Sequence, residues 1–334
     1  NGRLDLSQAE AVMDVIQAKN SMALKSSVEQ LKGSVQRAVK EIRARLLHQI
    51  AYIETALDDP EHFDLTDYPQ ELQKIVEKES ENISELLKTA DDGRMIQEGI
   101  KTVILGKPNA GKSSLLNFLV GEDRAIVTEI AGTTRDVVEE CVRLGEVTLR
   151  LSDTAGLRET EDRIEQIGVR IAKEKLEQAD LILAVFDSRQ PLTEEDWALL
   201  EQVKSRPVIV ILNKSDAGTA QITPEQLPDF PYCITMSAKA GSGLTELEAA
   251  VKGLFDRGDV TPELGILANA RQTACAETAL QMVTDALQAL QSGELLDAVT
   301  VLLDEAAQAL MTLTGERVTE AVVEEVFRHF CVGK

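Results

Sequence analysis

The sequence predicts an α/β domain set into the middle of a discontinuous all-α bundle. Three observations predict it. Residues 1–98 carry apolar positions at helical spacing. At residue 100 the style changes to short, β-branched-rich runs separated by helical or loop segments. After Gly258 helical spacing returns and continues toward the C-terminus. The expected boundaries are therefore 1–98 for the first part of the helical domain, 99–258 for the α/β domain, and 259–334 for the second helical part.

In the first part, Leu31, Val35, Val39, Ile42, Leu46, Ile50, Ile53 and Leu57 step by three or four, which predicts one long amphipathic helix from Val28. The stretch "DDPEHFDLTDYP" breaks it with two prolines. A second helix is expected from Glu71, with Leu72, Ile75, Val76, Ile83, Leu86 and Leu87 on its apolar side. In the middle part, "KTVILG", "VTLRLSD", "ADLILAVFD", "RPVIVILNKSD" and "YCITMSAK" read as strands of a parallel, doubly wound sheet, closed by the helix "GLTELEAAVKGLFD". In the last part, Leu295, Leu296, Val299, Leu302, Leu303, Ala306, Leu310 and Leu313 again keep helical spacing. Each helical segment alone leaves an apolar stripe uncovered, so the two are expected to pack as one domain rather than as separate arms.

With 43% hydrophobic residues in 334, the chain can build sizeable cores. No uninterrupted apolar run approaches the ~20 residues that cross a bilayer, and a cytoplasmic protein without a membrane partner is expected. No signal peptide is visible, and the chain starts at Asn1 rather than Met, so a front piece is expected to be missing. Cys141, Cys233, Cys275 and Cys331 are widely spread without a CxxC pair, which predicts free thiols of a reducing compartment rather than disulfides or zinc ligands. Acids outnumber bases 57 to 35, for a net charge of -22. That balance argues against a protein that grips nucleic acid alone, because phosphates must be neutralised; any RNA would be held mainly by a basic partner or a small local patch.

The chemistry-bearing motifs lie in the middle part. "GKPNAGKSSLLN", residues 106–117, is G-x-x-x-x-G-K-S/T between a strand and a helix. Backbone N–H groups of such a loop and of the following helix N-terminus make an anion cradle. Asn109, Ala110, Gly111, Lys112, Ser113 and Ser114 line it; Lys112 would reach the β- and γ-phosphates and the Ser113 hydroxyl would bind Mg²⁺. "DTAG" supplies Asp153, Thr154, Ala155 and Gly156 at a strand end, with Asp153 placed to hold Mg²⁺ through water and Gly156 to donate its N–H to the γ-phosphate. "NKSD" supplies Asn213, Lys214 and Asp216, whose carboxylate can take both N–H groups of the guanine edge, which adenine does not offer. "SAK", Ser237, Ala238 and Lys239, supplies a loop over the base. Between the first two motifs, "IAGTTRD" offers Thr133 and Thr134 as switch-loop candidates, Thr134 being favoured as a Mg²⁺ ligand. The motifs in this order, at strand ends, describe a Ras-like P-loop domain that binds GTP.

Its hydrolysis would not follow the Ras pattern, because Leu157 occupies the place of the glutamine that positions the attacking water. Help must come from elsewhere. Asn109 offers a carbonyl oxygen suited to a hard monovalent cation, and K⁺ there would neutralise charge developing in the transition state. The alternative is that Asn109 only stabilises its loop by a hydrogen bond.

The order of "NGRLDLSQAEAVMDVI", "GKPNAGKSSLLN", "AGTTRD", "DTAGLRET", "NKSD" and the terminal "FCVGK" resembles the MnmE (TrmE) family of tRNA-modification GTPases over the whole chain. The resemblance implies a GTPase domain inserted in a helical domain, and an N-terminal domain that binds folate and dimerises the protein, expected to be missing here. It implies K⁺-dependent pairing of the GTPase domains across their switch faces. It assigns K⁺ binding to Asn109, with further ligands from the backbone before "GTTRD", and water orientation to Glu165, which composition alone reads as one acid on a charged helix face. Arg158 and Arg135 are candidates for switch contacts, against surface salt bridges. Cys331, near the chain end, matches the family cysteine implicated in the tRNA modification; the alternative is an inert cysteine packed beside Phe330.

The resulting expectation is a K⁺-activated GTPase whose cycle drives modification of the wobble uridine of certain tRNAs, with an FAD-dependent MnmG-like partner that carries much of the tRNA binding. Two other classes compete. A ribosome-assembly GTPase of the Era or Der type would want a basic RNA-binding domain, which neither helical segment offers. A GTP-binding scaffold without useful turnover is kept open by Leu157.

Overall fold

The computed structural model describes residues 4–59, 61–62, 65–121, 139–152, 176–227, 229–255 and 265–315. The chain divides into two units, residues 1–97 with 259–334, and residues 98–258.

The first unit is helical. Its described helices are α1 (Leu6–Gln17), α2 (Ser21–Leu31), α3 (Ser34–Asp58) and α4 (Tyr68–Glu98), joined later in the chain by Ala270–Ser292 and Leu296–Thr314. Asp5 caps α1, its carboxylate accepting from Gln8 N at 2.7 Å while the Gln8 side chain accepts from Asp5 N. Most of the stripe read from the sequence is buried: Val35, Val39, Ile42, Leu46, Ile50 and Ile53 of α3 pack in one core with Leu72, Val76, Ile83 and Leu86 of α4, whereas Leu57, at the end of the stripe, is 45% exposed. Ala276, Ala279, Val283 and Ala286, and Val299, Leu303, Ala306 and Leu310, belong to that same core. The segments before and after the α/β unit therefore form one discontinuous bundle.

Two further details depart from the sequence reading. The helix expected from Val28 to Leu57 is two helices, because Gly33 adopts φ +82° and ends α2 before α3 begins. The apolar spacing runs on through the break, so periodicity alone hides it. Leu295, expected on the apolar face, is the residue before the helix Leu296–Thr314 and is 78% exposed.

The second unit holds a six-stranded sheet made of β1 (Ile100–Leu105), β2 (Glu139–Leu144), β3 (Val147–Ser152), β4 (Leu181–Asp187), β5 (Val208–Asn213) and β6 (Cys233–Thr235). Its order is β2-β3-β1-β4-β5-β6. Described helices of this unit are α5 (Lys112–Val120), α6 (Glu194–Val203) and α7 (Leu244–Phe255), which leaves Ala270–Ser292 as α8 and Leu296–Thr314 as α9. Five strands are parallel, as expected, but β2 runs antiparallel to β3 and makes the sheet mixed. The sequence signal for β2 is weak: "EECVRL" is half polar, as an edge strand can be. The central strands β4 and β5 are buried along nearly their whole length, as parallel strands covered on both faces must be. The order reverses between β3 and β4 on either side of β1, so the loop after β1 opens into the crevice where such sheets bind ligands. Among the described residues no helix is long and apolar enough to cross a membrane.

Candidate functional site

The loop between β1 and α5 is shaped by backbone geometry that two glycines permit. Gly106 lies at φ +145°, and a Cβ there would sit 2.2 Å from the Val185 carbonyl oxygen. Gly111 lies at φ +106°, and a Cβ would sit 2.1 Å from Asn213 Nδ2. Only glycine lets the loop close against β4 and β5. Between them Asn109 is exposed and adopts φ +63°, a left-handed conformation that asparagine tolerates better than most residues. Ala110 is buried.

Lys112 folds back over this loop and donates from Nζ to the Gly106 carbonyl at 2.7 Å and the Lys107 carbonyl at 2.8 Å. Burial pulls its ammonium below the ordinary lysine range. Helix α5 starts at Gly111 with no side chain capping its N–H groups, and Ser113 and Ser114 are exposed on its first turn. Loop carbonyls drawn to one ammonium, with amides facing outward from a helix start, make a cradle for phosphate anions.

The carboxyl ends of β5 and β6 bring the base-reading motifs to the same edge. Asn213 is buried, and its Nδ2 donates to the Ala110 carbonyl at 3.2 Å while its Oδ1 accepts from Ala238 N at 3.1 Å. One asparagine thus ties the phosphate loop to the "SAK" loop. Lys214, at φ +67°, donates to the Asn109 carbonyl at 2.5 Å and to Asp187 Oδ2 at 2.8 Å. Asp216 is exposed; Ser237 Oγ donates to it at 2.5 Å, and this bond first, then the nearby Lys239 and Arg189 charges, holds it below the usual carboxylate range. A fixed, ionised and accessible carboxylate is what two N–H donors of a guanine edge require.

Asn109, Ala110, Gly111, Lys112, Ser113, Asn213, Lys214, Asp216, Ser237, Ala238 and Lys239 thus gather at one edge of the sheet, with Ser114 one residue along α5. Thr133, Thr134, Asp153, Thr154, Ala155, Gly156, Leu157, Arg135, Arg158, Glu165 and Cys331 lie outside the described residues. The oxygen donors that are described, the Asn109 amide and the Ser113 hydroxyl, suit hard cations such as K⁺ and Mg²⁺. Among the described residues no cluster of three His, Cys, Asp or Glu forms a metal site, and Cys141, Cys233 and Cys275 are free thiols.

Sequence reasoning passed over a second ring of charges behind the loop. Lys107 donates to Thr193 Oγ1 and to Asp196 Oδ2 at 3.2 Å, the pair that caps α6. Asp187 receives Arg189 at 2.9 and 2.7 Å as well as Lys214. The available signal was an acid ending the apolar strand "LILAVFD", the strand end at which such folds place functional groups.

A family model described as the MnmE helical domain matches residues 6–331. The tRNA modification GTPase MnmE of Lachnoclostridium phytofermentans is 44% identical over 339 residues, which is 100% of this chain and 73% of that protein. The protein of the same name from Acetivibrio thermocellus is 40% identical over 342 residues, again 100% of this chain and 73% of that one. A crystal structure of Aquifex aeolicus Era bound to GDP·AlF4⁻ is 31% identical over 55% of this chain and 66% of that chain, with a TM-score of 0.38.

Proposed function

The chain belongs to the MnmE family of tRNA modification GTPases, and from that premise we propose a K⁺-activated GTP hydrolase that drives modification of the wobble uridine of certain tRNAs. That it is a GTP hydrolase of tRNA modification follows from the family and from the cradle at the end of β1. The observation that carries the finer reading is the exposed, left-handed Asn109, held by Lys214 through its backbone so that its amide is left for other work.

In this reading the loop amides and Lys112 bind the phosphates, and Asp216 orients guanine. Lys112 is partly desolvated, so its charge acts on phosphate oxygens with less solvent screening than at an exposed position. Ser113, Thr134 and Asp153 would hold Mg²⁺, and Asn109 would hold K⁺. Bound there, the two cations supply positive charge to the phosphate oxygens. Glu165 orients the attacking water in place of the absent glutamine, Arg158 contacts the switch, and Cys331 serves the tRNA-modifying step.

The net charge of -22 supports a division of labour in which an FAD-dependent MnmG-like partner holds most of the tRNA. GTP turnover in KCl against NaCl at equal ionic strength tests the proposal. Strong stimulation by K⁺ alone is expected. Equal, slow rates in the two salts overturn the cation-assisted mechanism and favour a GTP-binding scaffold.

A further inference from the structure

We propose that Asp187 is a positioning residue for guanine nucleotide binding, acting through Lys214 to lock the base-reading motif onto the phosphate loop. The inference rests on the assignment of that loop as the nucleotide cradle. Asp187 ends β4 in register with Asn213 at the end of β5, so Lys214 follows directly beside it. One carboxylate oxygen accepts from Lys214 Nζ at 2.8 Å. The Arg189 guanidinium grips both oxygens at 2.9 and 2.7 Å, and Arg189 N adds a third bond at 3.1 Å. The carboxylate therefore has one orientation available, and its side chain is only 12% exposed.

What it orients is a strained junction. Asn109 and Lys214 are the two non-glycine residues with positive φ among the described residues, at +63° and +67°. A single hydrogen bond joins them, from Lys214 Nζ to the Asn109 carbonyl at 2.5 Å. Left-handed backbone persists at non-glycine residues only where surrounding contacts hold it. Here the contact is an ammonium steered by Asp187. With the carboxylate neutralised, Lys214 and Arg189 become two cations sharing one small region, and Lys214 loses the anion that keeps it over the loop. The loop and the "NKSD" turn then relax separately, and a nucleotide that spans both dissociates faster.

Stopped-flow binding of a fluorescent GDP analogue to the full chain tests this, with parent, Asp187→Asn, Lys214→Met and the double variant compared. Asp187→Asn is expected to raise Kd tenfold or more, mainly through faster dissociation. The double variant is expected to bind no more weakly than Lys214→Met alone, since a residue acting through Lys214 has nothing left to act on. A general packing defect would instead add to the lysine loss, so an additive double variant overturns the proposal. Arg189→Met leaves the carboxylate in place but loosens it, and is expected to speed dissociation two- to fivefold; this keeps the test open if Asp187→Asn folds poorly. Parent-like Kd in a folded Asp187→Asn overturns the inference alone. A parent that binds no GDP overturns the nucleotide assignment and this inference with it.

Discussion

At the scale of single residues, the site separates what a side chain does from what its backbone does. The Asn109 carbonyl serves Lys214, whereas its amide side chain is free of that duty. Truncation of the side chain should therefore leave GDP affinity nearly intact and reduce K⁺-stimulated turnover by about 10- to 100-fold, the range for losing one electrostatic contact in a transition state. Asn109→Gly is the cleaner variant, because alanine at φ +63° adds a backbone cost of about 1 kcal/mol and glycine adds none. GTPase rates in KCl for both variants check this, and parent-like turnover would remove Asn109 as the cation ligand. Most of the described site was legible in the sequence at this scale. Lys112, Asn213 and Asp216 sit in motifs whose spacing already specifies strand, loop and helix. The roles of Asp187 and Lys107 were less legible: an acid ends "LILAVFD" and Arg189 meets it locally, but Lys214, Thr193 and Asp196 reach these residues only after β4, β5 and α6 have packed.

At the scale of elements, glycine decides one boundary and one close packing contact that apolar spacing does not report. Gly33 interrupts an unbroken stripe, and Gly93 sits inside α4, where it lowers helix propensity by about 1 kcal/mol relative to alanine. Propensity alone predicts that Gly93→Ala stabilises the protein. Packing predicts the opposite, since a Cβ at Gly93 would lie 1.9 Å from the Leu267 carbonyl oxygen, a backbone atom that cannot step aside. Overpacking of this kind costs about 1–3 kcal/mol and outweighs the propensity gain, so thermal unfolding of Gly93→Ala should show a lowered Tm. Helix α1 carries one source of pH dependence. Burial first, then the Glu10 charge, raises the Asp14 carboxyl to about 6. The folded state thus keeps a proton between roughly pH 4 and 6 that an unfolded Asp has already released, and stability falls as pH rises through that window. Asp14→Asn copies the protonated form, so it should stabilise the protein by about 1–2 kcal/mol at pH 7.5 and by nothing near pH 4. Urea unfolding at the two pH values reads the difference; an equal effect at both would place the cause outside Asp14 ionisation.

At the scale of the whole molecule, the insertion was readable because neither helical segment can cover its own stripe. Val39 and Leu46 before the α/β unit need Leu303 and Leu310 after it, and all four lie in one core. The antiparallel β2 was not readable in the same way, since a half-polar edge strand carries too weak a pattern to separate it from loop. How the molecule turns over GTP then becomes a question of order in protein concentration. Leu157 removes the internal water-positioning residue; the proposed mechanism gives that role to Glu165, and the family resemblance implies that two GTPase domains pair across their switch faces when K⁺ is bound. A rate that depends on pairing rises faster than linearly with protein until the paired form is saturated, whereas a self-sufficient active site gives the same rate per molecule at every concentration. Specific activity of the full chain should therefore climb as protein is raised from about 0.1 to 10 μM in KCl, and stay flat and low over the same range in NaCl. Asn109→Gly should lose the climb and keep the low base. A specific activity that is high in KCl yet independent of concentration would retain the cation and discard the pairing, because every catalytic group would then have to reside in one chain.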